Sequence, residues 1–345
     1  MKQPGFFDVS ERQKKLLKTR DFLERVNRIV AWESFRPVLD DALKRKDRVK
    51  GGRPAYDAVL MFKVLVLQAL YNLSDEQTEY QILDRTSFLR FLALELHDDV
   101  PDARTIWAFR EQLIAAGAVE KLFEKFDAML NSAGFAASGG QIVDATFVEV
   151  PRQRNPRDDN ATLKKGETPA DWSEKKKAHK DTDARWTKKN NTSFYGYKNH
   201  VNIDRKHKLI RRYTVTDASV HDSQELDNVL DPRNDSQQTW ADSAYRSQEQ
   251  EERLKEKGCT SHIHERAYRN KPLTGEQEAA NTERSRVRVR VEHVFGHIET
   301  AMDGCYVRTI GILRAQAKIG LENLAYNVSR FAFLMRGPKA TTASA

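Results

Sequence analysis

Hydrophobic spacing changes period once along this 345-residue chain, at Ala137-Ser138-Gly139-Gly140, and the two stretches it separates must fold differently. Before it, apolar residues recur at helical spacing. Ser10 can cap a helix carrying Leu16, Leu17, Phe22, Leu23, Val26, Ile29 and Val30, and a short helix holding Trp32 and Phe35 ends near Pro37. Asp57 starts an apolar helix through Leu73, and Ser74 with Gln77 forms a capping box for the next. Pro101-Asp102 opens a further helix closed at Gly117, and Val119–Leu130 makes the last. Five or six short helices with brief loops predict an all-α domain over 1–135. Its one strongly basic loop, 44–54 with Arg53 beside the glycines, suits a solvated connector or a phosphate contact equally.

After the change the residues favour strands. Gln141–Val150 is rich in β-branched side chains and ends at Pro151; Phe194–Ile203 and Leu209–Thr216 follow, joined by the turn Asp204–Lys208. A helix around Gln224–Leu230, a short strand Gln238–Ala241, a charged helix Gln248–Lys257 and a strand Ser261–His264 come next. Ser285–Thr300 alternates like a strand as far as Val291. Its apolar stripe of Val287, Val291, Val294, Phe295, Ile298 and Met302, however, keeps helical spacing past that point, so it reads as a helix. Ile312–Met335 is a long amphipathic helix. The order describes an α/β domain with a mixed sheet over 136–336, and the tail 337–345 is expected to be disordered. Residues 152–192 interrupt the domain with a basic insertion that lacks apolar periodicity and predicts disorder, or ordering on a ligand.

Composition narrows the partners. Charged residues make up 31% of the chain, with 58 Lys+Arg against 50 Asp+Glu, so a net charge of +8 favours a polyanion. Two cysteines give neither a disulfide framework nor metal-ligand spacing, which fits a reducing compartment. The N-terminus lacks the features of a secretory signal. The most apolar run, Ala58–Leu73, carries Lys63 and Gln68 and is too short to span a bilayer. A cytoplasmic protein without a membrane partner is expected.

Three carboxylates stand out by position. Asp144 lies within an apolar strand, where a charge is costly unless paired or coordinated. Asp242 lies where a strand ends, the edge at which α/β sheets present their sites. Glu292 lies beside the apolar stripe of its helix. Each has an ordinary alternative: a solvated edge for Asp144, a helix cap for Asp242, an ion pair with Arg288 for Glu292. Together they supply the hard-oxygen set that holds two Mg²⁺ ions about 3.5–4 Å apart for in-line phosphoryl displacement.

At these residues the chain resembles a known family. Ile142-Val143-Asp144-Ala145-Thr146, Phe194-Tyr195-Gly196-Tyr197-Lys198-Asn199-His200, Ala241-Asp242-Ser243-Ala244-Tyr245 and Arg288-Val289-Arg290-Val291-Glu292-His293-Val294-Phe295 resemble successive blocks of DDE transposases of the IS5 family, within the IS4/IS5 group. The segments from Gly51 to Tyr80 and from Pro101 to Leu113 resemble that family's helical N-terminal domain. The resemblance implies an α+β protein: a helical domain for DNA binding and dimerisation, then a ribonuclease H-like catalytic domain. Asp144, Asp242 and Glu292 become the catalytic, metal-binding triad, 98 and 50 residues apart. It also implies two Mg²⁺ ions, with Mn²⁺ as a substitute, and double-stranded DNA as partner, both terminal inverted repeats and target, bound by a homodimer. A DNA-binding regulator or a nuclease without strand transfer is the alternative. Lys198, Arg246, Arg288 and Arg290 are the expected phosphate contacts, and Trp186, flanked by Arg185, Lys188 and Lys189, either stacks on an extruded base or pins the insertion. Relatives often carry a lysine two turns after the Glu; here that residue is Glu299.

Overall fold

The structure, a computed structural model, describes residues 14–15, 21–44, 54–189, 191–268 and 271–336. Ser10, Arg53 with most of its basic loop, and the tail from 337 lie outside the described residues. Within them the first part is helical: α1 (Phe22–Ile29), α2 (Arg36–Leu43), α3 (Ala58–Tyr71), α4 (Asp75–Asp84), α5 (Thr86–Leu92), α6 (Ala103–Ala115) and α7 (Ala118–Ser132). Local chemistry sets their starts. Asp57, Ser74 and Asp102 cap α3, α4 and α6, the second through the expected capping box with Gln77. Helix α1 starts after Asp21, which accepts from Leu23 N–H and Glu24 N–H. Helix α3 is buried on almost every side, Lys63 and Gln68 included, so it forms the centre of the helical layer.

The second part is built on a six-stranded sheet: β1 (Gln141–Glu149), β2 (Arg185–Lys189), β3 (Thr192–Asp204), β4 (Ile210–Asp217), β5 (Gln238–Trp240) and β6 (Thr260–Ser261). Strand β3 is long enough to pair along one edge with β2 and then β4, and along the other with β1. Those pairings are antiparallel, whereas β5 adds parallel to β1 and β6 parallel to β5. An antiparallel meander extended by parallel strands on the side of its first strand is the ribonuclease H-like arrangement. Gly196 permits the tight β1–β3 approach. At φ +148° a Cβ there would run into the Val148 carbonyl oxygen.

Helices cover both faces of the sheet. The helix between β4 and β5 shortens to a 3-10 turn, Asp222–Gln224, and α10 (Leu226–Val229); with α11 (Gln248–Glu256) it packs on Val143, Ala241 and Ile263. On the other face lie α12 (Gly275–Met302) and α13 (Ile312–Leu334), whose Val291, Val294, Leu324 and Val328 share a core with Ile142, Trp240 and the helices of the first part. Phe126 of α7 meets Phe331 of α13 edge-on at 6.2 Å, and buried Arg211 bridges Asp127 of α7 and Asp204 at 2.8 Å each. One core therefore runs from the helical layer to the sheet.

The insertion corrects an expectation. Residues 152–189 are ordered within the chain itself, with α8 (Arg157–Lys164), α9 (Glu174–Ala178) and β2. Polar contacts hold them: buried Trp172 donates from Nε1 to Asp159 at 2.8 Å, and Asp181 accepts from Ala184 N–H at 3.0 Å and from the Tyr197 hydroxyl at 2.7 Å. Fixation by scattered hydrogen bonds leaves no apolar period for a sequence scan to detect.

Candidate active site

Strand register brings distant residues together. The parallel pairing sets Gln141 beside Thr239 and Ile142 beside Trp240, so two residues further on Asp144 stands level with Asp242. On the next strand Thr239 lies beside Ser261, which puts His264 level with Asp242; His264 N–H donates to Ala241 O at 3.2 Å. One rung earlier on that face, the Trp240 and His262 rings stack at 4.8 Å. Because side chains alternate across a strand, Asp144, Asp242 and His264 form a row facing α12, while Val143, Ala241 and Ile263 enter the core on the opposite face.

Helix α12 lays a second row over the first. Ser285, Arg288 and Glu292 are three and then four residues apart and share one side of the helix, whose buried Val291, Val294, Phe295 and Ile298 fix its rotation. Arg288 Nη2 donates to Asp144 Oδ2 at 2.6 Å, and Ser285 Oγ lies 3.4 Å from His264 Nε2. Asp144 is buried and also accepts Ala145 N–H at 2.9 Å. Burial pushes its carboxyl up; the Arg288 charge opposes this and the Asp242 charge adds to it. Burial also works against the Arg288 charge, but Asp144, Asp242 and Glu292 outweigh it and hold the guanidinium above its ordinary value. Asp242 keeps its ordinary role as well, capping the turn Ser243–Tyr245 by accepting Ala244 N–H at 2.7 Å. Glu292 is exposed. The ordinary alternative for Glu292, an ion pair with Arg288, does not form: Arg288 pairs with Asp144 instead, since the buried carboxylate gains more from the charge than the exposed one.

Among the described residues no group of three or more His, Cys, Asp or Glu side chains is drawn tightly enough to grip a metal ion. In kind and in charge the set nonetheless suits a hard divalent cation, because three carboxylates act on a single guanidinium.

The basic candidates separate. Lys198 stands opposite Phe147 on the far face of the sheet, and its ammonium is bonded to Asp222 at 2.8 Å and to Val220 O at 2.6 Å. It anchors the Asp222 turn and does not face the row of acids. Arg246 sits beyond Asp242, tied to Ile263 O at 3.1 Å and paired with Glu265 at 2.9 Å. Arg290 donates to Arg205 O at 2.9 Å. Trp186 is 43% exposed on β2, its ring 4.9 Å from that of Tyr195 and with the Arg152 guanidinium 5.9 Å above it, so it covers an edge of the sheet. Glu299 is exposed. His264 was not legible as a site residue: its place in the row follows only from parallel pairing of two short strands, and the alternation His262-Ile263-His264 was the sole local signal.

Residues 136–328 match the family model described as Transposase DDE domain, and residues 11–112 match that described as Transposase domain (DUF772). Among solved structures the chain is similar to a piggyBac transposase in a synaptic complex with hairpin DNA, at 12% identity and a TM-score of 0.43, over 92% of this chain and 76% of that one.

Proposed function

Because the chain belongs to the DDE transposase family, whose catalytic-domain model spans more than half of it, we propose that it binds the terminal inverted repeats of an insertion sequence, cuts there and joins the freed 3′ ends to target DNA. The observation that carries this reading is the row itself: Asp144 and Asp242 level on adjacent strands, with Glu292 on the helix laid across them. Residues 1–135 supply DNA binding and dimerisation and residues 136–336 the chemistry, in the cytoplasm.

In the first step a water oxygen bonds to the phosphorus at the transposon end as the bond from phosphorus to the 3′ oxygen breaks, and the water's proton passes to that oxygen. In the second, the freed 3′-OH bonds to a target phosphorus and releases a target 3′-OH, which takes up its proton. Asp144, Asp242 and Glu292 would hold two Mg²⁺ ions, or Mn²⁺ in their place. When bound, these supply the positive charge that favours ionisation of the attacking oxygen and offsets charge on the leaving one. The chain's own groups do the rest: Asp144 is fixed by the sheet, Asp242 by its turn, and Glu292 by the stripe that docks α12. With a cation held beside it, Asp144 would no longer need its bond to Arg288, and the guanidinium would then be available to a DNA phosphate. Arg246, beyond Asp242, and Arg290, on α12, are further phosphate contacts, Arg53 contributes from the basic loop, and the exposed Trp186 stacks on a base.

The test is incubation of the purified chain with Mg²⁺, linear DNA carrying the inverted repeats that flank its reading frame, and a target plasmid. Nicks at the repeat ends followed by joined donor–target products are expected. Nicks without joined products would reduce the activity to that of a nuclease, and salt-dependent DNA binding without any cut would reduce it to occupancy.

A further inference from the structure

Resting on that reading, we infer that His264, held by Ser285, is a substrate-contacting member of the active site that hydrogen-bonds a phosphodiester oxygen of the strand being cut. Three independent features place it there. The register of β5 and β6 sets it level with Asp242, in the row that begins with Asp144. Its Nε2 lies 3.4 Å from Ser285 Oγ, so the same face of α12 that brings Arg288 and Glu292 over the acids brings a hydroxyl over the imidazole. The ring is only partly buried, and its two charged neighbours along the row are Asp242 and Arg288.

The chemistry of that position differs from the rest of the row. Asp144, Asp242 and Glu292 are acceptors only, and would repel a phosphodiester approaching without cations. A neutral imidazole adds an N–H donor at the end of the row, where none of the carboxylates can serve. Ser285 selects which ring nitrogen carries the proton: if its hydroxyl donates to Nε2, the N–H is at Nδ1 and is free for the strand. Arg284, the nearest other cation, is committed to Ile263 O at 2.9 Å and lies 3.5 Å from Glu265, so on this side His264 adds an uncharged donor to whatever Arg246 contributes. Donors fixed beforehand at a reacting phosphate favour the transition state because they need no reorientation when charge moves.

Single-turnover cutting of a repeat-end duplex tests this in the full chain with Mg²⁺, comparing the parent with His264→Ala, His264→Asn and Ser285→Ala, alongside duplex affinity and thermal stability. His264→Ala should slow cutting at saturating DNA roughly 10- to 100-fold, the value of one donor to a charged oxygen, while affinity and melting temperature stay near those of the parent. His264→Asn keeps an N–H donor and should recover part of the rate. Ser285→Ala should fall between the parent and His264→Ala. Parent-like cutting by His264→Ala would overturn the inference, as would a slow His264→Ala that is matched by the Asn variant or accompanied by an equal loss of thermal stability. A parent that cuts no repeat end would overturn the transposase reading and this inference with it.

Discussion

Glu322 lies inside α13, nearly out of contact with solvent, and burial pushes its carboxyl from its ordinary 4.5 to about 7, against the opposing pull of the Lys318 ammonium 3.2 Å away. The folded chain therefore holds a proton that the unfolded chain gives up. Its stabilising contribution is complete below pH 4.5 and is lost as the pH rises towards 7. Glu322→Gln should accordingly gain stability over the parent as urea unfolding is followed from pH 5 to pH 8; a difference independent of pH would contradict the assignment. Asp144 illustrates how far single residues were legible. Its cost within an apolar strand marked it for pairing or coordination, but its partner Arg288 lies 144 residues away, and neighbour rules along a helix offer that arginine only Glu292. The same limit applies to Lys198. Sequence shows that it is basic and in a strand, but not that register turns it to the face opposite Asp144.

Elements with a clear period were read well, because burial along one stripe leaves a trace that needs no knowledge of the partner. The stripe from Val291 to Met302 is buried in α12 as its spacing predicts. The insertion left no such trace: its order comes from Trp172 on Asp159 and from Asp181 on the Tyr197 hydroxyl. Within the sheet the most constrained position is Gly196, where β1 and β3 meet. Gly196→Ala must displace the Val148 carbonyl or shift φ away from +148°, and should lower stability by roughly 1–3 kcal/mol, seen as an earlier urea midpoint. An unchanged midpoint would mean that β1 can move without cost. Since β1 carries Asp144, the variant should also slow cutting by more than its loss of folded fraction.

Across the whole molecule, the α+β order and the helix-to-strand change were visible in the sequence, but the shared core was not, because spacing within each part says nothing about which faces meet. Phe126 against Phe331, and Arg211 between Asp127 and Asp204, join the helical layer to the sheet. Arg211→Ala removes the buried cation shared by two carboxylates, leaving Asp127 with Arg233 and Asp204 with the His207 and Leu209 N–H groups, and should cost about 3 kcal/mol. Circular dichroism and tryptophan fluorescence should then shift together, with Trp32 reporting on the helices and Trp240 on the sheet; two separated transitions would contradict a common core. That core also fixes α12 over the strands, so the three acids, far apart in sequence, come to one side of the sheet only in the folded chain. The most direct test is Mg²⁺-dependent cutting of repeat-end DNA by Asp144→Asn, Asp242→Asn and Glu292→Gln beside the parent, with duplex affinity measured in parallel. Each substitution is predicted to abolish cutting while leaving affinity within about threefold; cutting at the parent's rate by any one of them would contradict the account.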